Sequence, residues 1–554
     1  MKRSILDTIQ DHEERMPDRL WLTQPVGGGV VETYTFASAL LEARKMATYL
    51  EGLGLPPKSN IALVSKNCAH WFMADLAIWL AGHVSVPLYP TLAAGTVRAI
   101  LEHSGSKLLF VGKLDDWGTM APGVPDGLPM IALPLAPKSD LPKWSDLVAK
   151  ASPKTGRVSR DGDDLATIVY TSGTTGQPKG VMHSFRTMTD SAEGIAERLG
   201  TSVNDRMLSY LPLAHVFERW AVEASTFLVG GQIFFAEALD TFAADLQRAR
   251  PTMFISVPRL WVKFQQGVFH KMPKEKLDRL LKIPLVNILV KKKVLKGLGL
   301  DQCRIAGSGS APIPPDLIHW YRSLGLELLE GYGMSENFCY SHVSVPGRAR
   351  VGYVGEPYPG VECRISPEGE IQVKSQGTML GYYKADDLTA EVMTEDGFLR
   401  TGDRGEIDEL GRLKITGRVK ELFKTSKGKY VAPAPIENLL LANQTIEQAC
   451  VTGASQPQPH ALVVLSENVR GELADGSTTR DEVTATLGQL RKAINETLDP
   501  HEQLDFLVVA KEPWLIENGF LTPTMKVKRA TLESNYGPKI DGWYAQKSPI
   551  IWES

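Results

Sequence analysis

The sequence predicts an α/β protein: a large N-terminal domain of parallel and mixed sheets covered by helices, a β-rich subdomain, and a smaller α+β C-terminal domain. Two observations carry most of this. Between 59 and 112, apolar runs such as Asn60 to Val64 and Lys107 to Val111 alternate with helical periodicity over 69–80 and 94–102, the rhythm of parallel strands joined by covering helices. Past residue 360 the period shortens to alternating strands separated by glycine turns, as at 370–374 and 411–415. A chain of 554 residues also exceeds what one ordinary core accommodates, so at least two domains are expected.

The βαβ rhythm returns at 232–235, 252–257 and 326–330, and the last of these strands runs into Tyr332. In open α/β sheets ligands bind at carboxyl ends of strands, which marks the residues after 330 as site candidates. Residues 113–160 are rich in proline, glycine and charge and read as an irregular connection. A net charge of −3, with 43% hydrophobic and 23% charged residues, describes a soluble globular protein and argues against a general nucleic-acid binder. Acidic Asp7, Asp11, Glu13 and Glu14 follow the first residues, so no apolar signal core is read there, and no run approaches a membrane span. Cys68, Cys303, Cys339, Cys363 and Cys450 show no C-x-x-C spacing, which fits reduced thiols, no structural zinc and a cytoplasmic location.

The strongest chemical signal is YTSGTTGQPKG at 170–180. Glycines 173, 176 and 180 let the backbone approach an anion, Thr171, Ser172, Thr174 and Thr175 supply hydroxyl donors, and Lys179 supplies charge. A Walker A loop needs Gly-Lys-[Ser/Thr] in sequence. Here Gln177 and Pro178 separate Gly176 from Lys179, and Gly180 follows, so this is a different phosphate loop.

Further motifs follow in order: LPLAHVFER at 211–219, AGSGSAP at 306–312, EGYGMSE at 330–336, TGD at 401–403, ITGRVKE at 415–421 and LTPTMK at 521–526. Together with the 170–180 loop they resemble the signature of the adenylate-forming enzymes: acyl- and aryl-CoA synthetases, peptide-synthetase adenylation domains and luciferases. The resemblance runs from about residue 30 to about residue 535, with Ser335 where threonine is commoner. The regions 211–219 and 417–433 are most similar to long-chain fatty-acyl-CoA synthetases, with Lys427 where those enzymes often have glycine.

The resemblance implies a two-step ligase using ATP, Mg²⁺ and coenzyme A, with a fatty acid as its other small-molecule substrate. It assigns the nucleotide to Thr171, Ser172, Gly173, Thr174, Thr175, Gly176 and Lys179 at the phosphates, and to Gly309, Ser310, Ala311 and the 331–335 turn (Gly331, Tyr332, Gly333, Met334, Ser335) at the adenine. Asp403 and Arg418 fall at the ribose, and Glu336 with Thr171 at the metal. Lys526 is assigned to the substrate carboxylate and α-phosphate, His215 to substrate positioning, Lys420 to a hinge, and Lys427 with Gly428 to the coenzyme A path. The hinge divides the chain into an N-terminal AMP-binding and acyl-substrate domain, 1–419, and a mobile C-terminal domain, 420–554, that carries the catalytic lysine. The alternatives are an acyl-AMP ligase loading a carrier protein, a CoA ligase for a medium-chain or aryl acid, and a non-catalytic nucleotide- or lipid-binding relative.

One segment lies outside these motifs. Residues 271–296 carry nine cations (271, 274, 276, 279, 282, 291, 292, 293, 296) against Glu275 and Asp278, a local net of +7, around an apolar run from Ile283 to Val290. Two readings stand: a solvated helical face, or a patch for peripheral contact with anionic membrane lipid. Oligomeric state is left open by the sequence.

Overall fold

The computed structural model describes residues 2–172, 178–522 and 525–553, with only the backbone of Ser172. The parallel rhythm is realised in a mixed sheet ordered Gly381–Tyr382, Pro178–Ser184, Leu165–Ser172, Val84–Leu88, Asn60–Val64, Leu109–Val111 and Met130–Ala132. Its last five strands run parallel to one another, and the first two are antiparallel to their neighbours. A second mixed sheet runs Met253–Ser256, Ile305–Ser308, Leu328–Tyr332, His342–Val343 and Glu356–Pro357. A third joins Val30–Thr35, Leu20–Gly27, Gln232–Phe235 and Arg206–Ser209.

The helix Ala69–Leu80 is buried on every face. Such a helix must be apolar all round, and its aromatic residues divide between two layers. Phe72 meets Trp21 and Phe235 of the third sheet, and Trp79 meets Phe185 at the start of the helix Phe185–Leu199. Within 113–160 the structure differs from the irregular connection read from sequence. Met130–Ala132 extends the large sheet beside Leu109–Val111, and Trp144–Lys150 is a helix. Both elements are too short for a periodicity to register, and pairing with an existing edge strand supplies what three residues cannot hold alone.

After 360, four antiparallel strands form a sheet ordered Glu362–Ile365, Glu370–Lys374, Leu399–Ile407 and Leu413–Arg418. The C-terminal part builds a sheet from Ile446–Thr452, His460–Leu465, Leu507–Val509 and Ile550–Trp552. Because side chains alternate along a strand, Ala461, Val463, Leu507 and Val509 enter one apolar cluster, while Leu462, Val464 and Val508 enter another. Both clusters draw only on residues from 423 onward.

A fully buried ion cluster interrupts the apolar packing of the N-terminal core. Arg219 opens the π-helical turn Arg219–Ala224 and is fully buried. Its Nη1 lies 2.8 Å from Asp75 Oδ2 and 3.5 Å from Glu223 Oε2. Asp75, inside the helix Ala69–Leu80, also accepts from Trp71 Nε1 at 3.1 Å and from Ser85 Oγ. Burial lowers the Arg219 pKa, but the two carboxylates more than offset it and leave the group charged; burial pushes Glu223 well up. Arg219→Met strands the Asp75 charge, and a cost of about 3–5 kcal/mol is expected for breaking a buried pair on one side. Thermal unfolding of the variant measures it, and an unchanged midpoint would mean that the pair carries no stability.

Candidate functional site

The two strands Leu165–Ser172 and Pro178–Ser184 form an antiparallel pair in which Thr171 lies opposite Lys179. Gly173, Thr174, Thr175 and Gly176, between them in sequence, lie outside the described residues, as does the side chain of Ser172. The Lys179 ammonium sits 5.2 Å from the ring centroid of Tyr382.

Close backbone approach brings three of the other motifs together. A Cβ at Gly309 would lie 3.1 Å from the Phe217 ring and 3.6 Å from the Gly331 carbonyl, so glycine lets the loops 306–312, 211–219 and 330–336 meet. Ser310 follows with φ +68, and Ser310 and Ala311 are both exposed. Gly333 is more constrained still, since a Cβ there would come within 2.5 Å of Cys339 Cα. The chain 334–339 closes on itself: Met334 N–H donates to Asn337 Oδ1 at 2.9 Å, and Cys339 N–H to the Met334 carbonyl at 3.0 Å. Phe338 and Cys339 take left-handed φ of 49 and 58 to make that turn.

Tyr332 ends the strand Leu328–Tyr332 and its hydroxyl donates to Asp403 Oδ2 at 2.7 Å. Asp403 and Arg418 are register partners on adjacent strands, and Arg418 Nε donates to Asp403 Oδ1 at 2.7 Å. The carboxylate is nearly buried, and each of its oxygens keeps a second lone pair for a ligand donor.

His215 caps the short helix Val216–Glu218, with Nδ1 accepting the Phe217 N–H at 3.1 Å. That bond sets the tautomer and leaves Nε2 as a donor. Burial, helped by the Lys526 charge, lowers the imidazole pKa to about 3, so it is neutral at physiological pH. Lys526 arrives from the turn bridged by Leu521 and Val527, where its N–H donates to Thr522 Oγ1 at 3.1 Å. Its surface is open to solvent, yet surrounding protein, followed by the Arg418 charge, lowers its pKa; Asp403, Cys339 and Glu336 oppose that shift. These electrostatic neighbours place Lys526 among motifs more than one hundred residues away.

Lys420 is exposed in the short turn Val419–Glu421, between the strand ending at Arg418 and the hairpin Phe423–Lys424 and Tyr430–Val431. Lys427 and Gly428 form the exposed end of that hairpin. Lys427 Nζ reaches Gln458 Oε1 at 3.4 Å, and Gly428, not Lys427, takes the left-handed φ of 79. Glycine at 427 is therefore not required by the backbone.

Three supporting residues escaped the sequence reading. His183, one strand-length past the phosphate loop, has Nε2 2.8 Å from the Ser335 carbonyl and packs against Phe338. Tyr382 donates its hydroxyl to Glu336 Oε1 at 2.7 Å, beside a Met379 N–H to Glu336 carbonyl bond of 2.8 Å. Glu218, buried behind His215, accepts from Ser209 Oγ at 2.8 Å, Tyr210 N–H at 3.0 Å and Asn67 Nδ2 at 3.3 Å. Only Glu218 lay inside a motif, and nothing in its local pattern showed where it points.

Burial raises the Glu218 pKa to about 8, so the native state holds a proton that the unfolded chain releases near 4.5. Stability from this group is complete below about pH 4.5 and is lost as pH rises toward 8. Glu218→Gln keeps the acceptor without the ionisation. The stability of the variant relative to the parent should rise by roughly 1 kcal/mol per pH unit across that window. Unfolding midpoints at pH 5, 6.5 and 8 test this, and a constant difference refutes it.

Arg418 and Asp403 are therefore paired directly, with Lys526 and Glu336 in their electrostatic surroundings, a set of charges suited to a ligand carrying phosphates and hydroxyls. Residues 9–383 match the family described as AMP-binding enzyme, and 421–548 match the AMP-binding enzyme C-terminal domain. A long-chain-fatty-acid–CoA ligase of Mycobacterium bovis is 30% identical over 98% of this chain and 97% of that protein. Long-chain-fatty-acid–CoA ligase 1 of Homo sapiens is 29% identical over 93% and 82%. Among solved structures, the fold superposes with a TM-score of 0.79 on the A domain of a carboxylic acid reductase from Segniliparus rugosus in complex with AMP and a co-purified carboxylic acid, at 24% identity over 98% of this chain and 94% of that one. It superposes at 0.78 on an anthranilate CoA ligase in complex with anthranoyl-AMP, at 20% identity over 97% and 98%. By the match over most of its length, this chain belongs to the AMP-binding enzyme family.

Proposed function

We propose that this chain is an AMP-forming acid–thiol ligase that activates a long-chain fatty acid and transfers it to coenzyme A. The observation that carries the reading is that Asp403, held by Tyr332 and Arg418, shares its electrostatic surroundings with Lys526 and Glu336, in a chain similar over nearly its whole length to long-chain-fatty-acid–CoA ligases. In the first step a carboxylate oxygen attacks the α-phosphorus of ATP, the bond to the β-phosphate oxygen breaks, and pyrophosphate leaves. In the second the coenzyme A sulfur attacks the acyl carbon, its proton is lost, and AMP leaves.

The attacking carboxylate and the triphosphate repel each other, so charge must be supplied where they meet. Lys526 supplies it at the carboxylate and α-phosphate; surrounding protein, and after it the Arg418 charge, lowers its pKa. Asp403 accepts from the ribose hydroxyls and Arg418 adds donors near the phosphates. Tyr332 covers one face of the adenine and the 309–311 backbone the other. His215, neutral and with Nε2–H as donor, positions the substrate carboxylate.

Among the described residues no cluster of three or more His, Cys, Asp or Glu forms a metal cage. A lone carboxylate, Glu336, with the Thr171 hydroxyl suits Mg²⁺, which keeps waters and phosphate oxygens as most of its ligands. When bound, the ion neutralises triphosphate charge. The domain division is placed at Lys420, the hinge residue, with Lys427 and Gly428 along the coenzyme A path.

The reading includes peripheral contact with anionic lipid. Among the described residues no helix is long and apolar enough to cross a membrane. The helix Val286–Gly297 turns Val290, Val294 and Leu295 toward the core. Leu285, Ile288 and Leu289 are 76%, 61% and 70% exposed beside Lys291, Lys292 and Lys293. Exposed leucines ringed by lysines match an interface with apolar chains below anionic headgroups better than they match bulk water.

Three measurements test these proposals. Incubated with ATP, coenzyme A and a panel of acids, the protein should release pyrophosphate and AMP and form acyl-CoA best from long-chain acids. Lys526→Ala should lower acyl-adenylate formation by roughly 10²–10³ while supplied acyl-adenylate still reacts with coenzyme A. Adenylate that accumulates with every acid and never becomes a thioester would point to a carrier-protein acceptor. For the lipid contact, Lys291, Lys292 and Lys293 changed to glutamine should weaken partition to phosphatidylserine-containing vesicles by about two orders of magnitude at low salt, at about 1 kcal/mol per cation. A parent protein that ignores such vesicles leaves only a solvated face.

A further inference from the structure

Tyr382 makes a pair of contacts that the reaction scheme does not use. It lies in the two-residue strand Gly381–Tyr382, opposite Val181 of the strand that leaves the phosphate loop. Its buried hydroxyl donates to Glu336 Oε1 at 2.7 Å, and the face of its ring receives the Lys179 ammonium at 5.2 Å from the centroid. One side chain thus touches both opposite charges at the triphosphate end of the site, each through chemistry suited to it: an O–H donor for a carboxylate and a π face for a cation.

The tyrosine is itself held. Its N–H donates to Thr389 Oγ1 at 2.9 Å, and Gly381 before it, at φ +140, admits Thr389 where a Cβ would approach to 3.1 Å. Glu336 is gripped on its backbone too, through the Met379 N–H, while His183 reaches the neighbouring Ser335 carbonyl. Burial and then the Glu336 charge raise the phenol pKa, so it remains a donor over the working range. Among the described residues, Tyr382 has no hydrogen bond or ring contact to Tyr332, Asp403 or Arg418 at the adenosine end.

We infer that Tyr382 is a positioning residue that sets the separation of Lys179 and Glu336 and acts on the triphosphate end of ATP alone. This rests on the nucleotide reading above. A purely structural tyrosine would instead support every ligand equally.

Calorimetric titration of the full chain with Mg·ATP and, separately, with AMP decides between them, with thermal unfolding recorded for each variant. Tyr382→Phe keeps the ring and loses only the hydroxyl. Its Mg·ATP affinity should weaken about tenfold, the scale of one charge-assisted hydrogen bond, with AMP affinity within about twofold. Tyr382→Leu also removes the seat of Lys179 and should weaken Mg·ATP further, again sparing AMP. If Tyr382→Phe binds both nucleotides as the parent does, or loses both equally with a lowered midpoint, the inference is overturned. A parent that binds neither nucleotide removes the nucleotide reading itself, an outcome visible before any variant is made.

Discussion

The buried guanidinium of Arg219 is the constraint on which the N-terminal architecture turns. A charge removed from water must be paired, and its partner Asp75 lies in the helix Ala69–Leu80, itself buried on every face. Asp75 is also bonded by Trp71 and Ser85, so the pair joins that helix to the parallel strand Val84–Leu88 and to the π-helical turn that follows His215. π-helical turns often occur at functional sites. Here the turn holds Arg219 and Glu223, four residues apart, beside the same carboxylate, Asp75.

From that anchor outward the polar groups form a graded series. Glu218 and Asn67 tie the strand end at Ser209 and the chain at Leu211 to the interior, which fixes the loop that presents His215. The imidazole is held neutral, and Asp403 is shared between Tyr332 and Arg418. Lys526, entering from the C-terminal part, meets a field already shaped by these groups. Glycines 309 and 333 complete the construction by sterics, since a Cβ at 309 would crowd the Phe217 ring and one at 333 would collide with the Cys339 backbone of its own turn.

Much of this was legible beforehand, and the residues show why. The helix Ala69–Leu80 and the strand Glu370–Lys374 have the expected bounds because a 3.6-residue or two-residue period sustained over a whole element is a local property. The motifs carrying Asp403, Tyr332, Glu336 and Lys526 were likewise visible as residue types in a fixed order, which is also a local property of the chain. The strands Met130–Ala132 and Gly381–Tyr382 were not, since elements of two or three residues exist only through pairing with a neighbour. Tyr382 was missed for the same reason, and His183, within the seven-residue strand Pro178–Ser184, because a lone histidine reads as core until its partner, the Ser335 carbonyl, is known.

By itself, then, the sequence determined the α/β class, the order of the motifs, the chemistry each is able to offer, and a basic segment interrupted by leucines. The tertiary structure alone decided that Asp403 faces Arg418 across a ladder, that Lys526 feels the charges of Arg418, Asp403 and Glu336 far upstream, that one tyrosine touches both Lys179 and Glu336, and that Leu285, Ile288 and Leu289 of the basic segment face solvent. Residue type and periodicity are written locally along the chain. Which charges share a cleft depends on strand register and loop approach between segments far apart in sequence, and those are set only when the burial of apolar faces brings the sheets together.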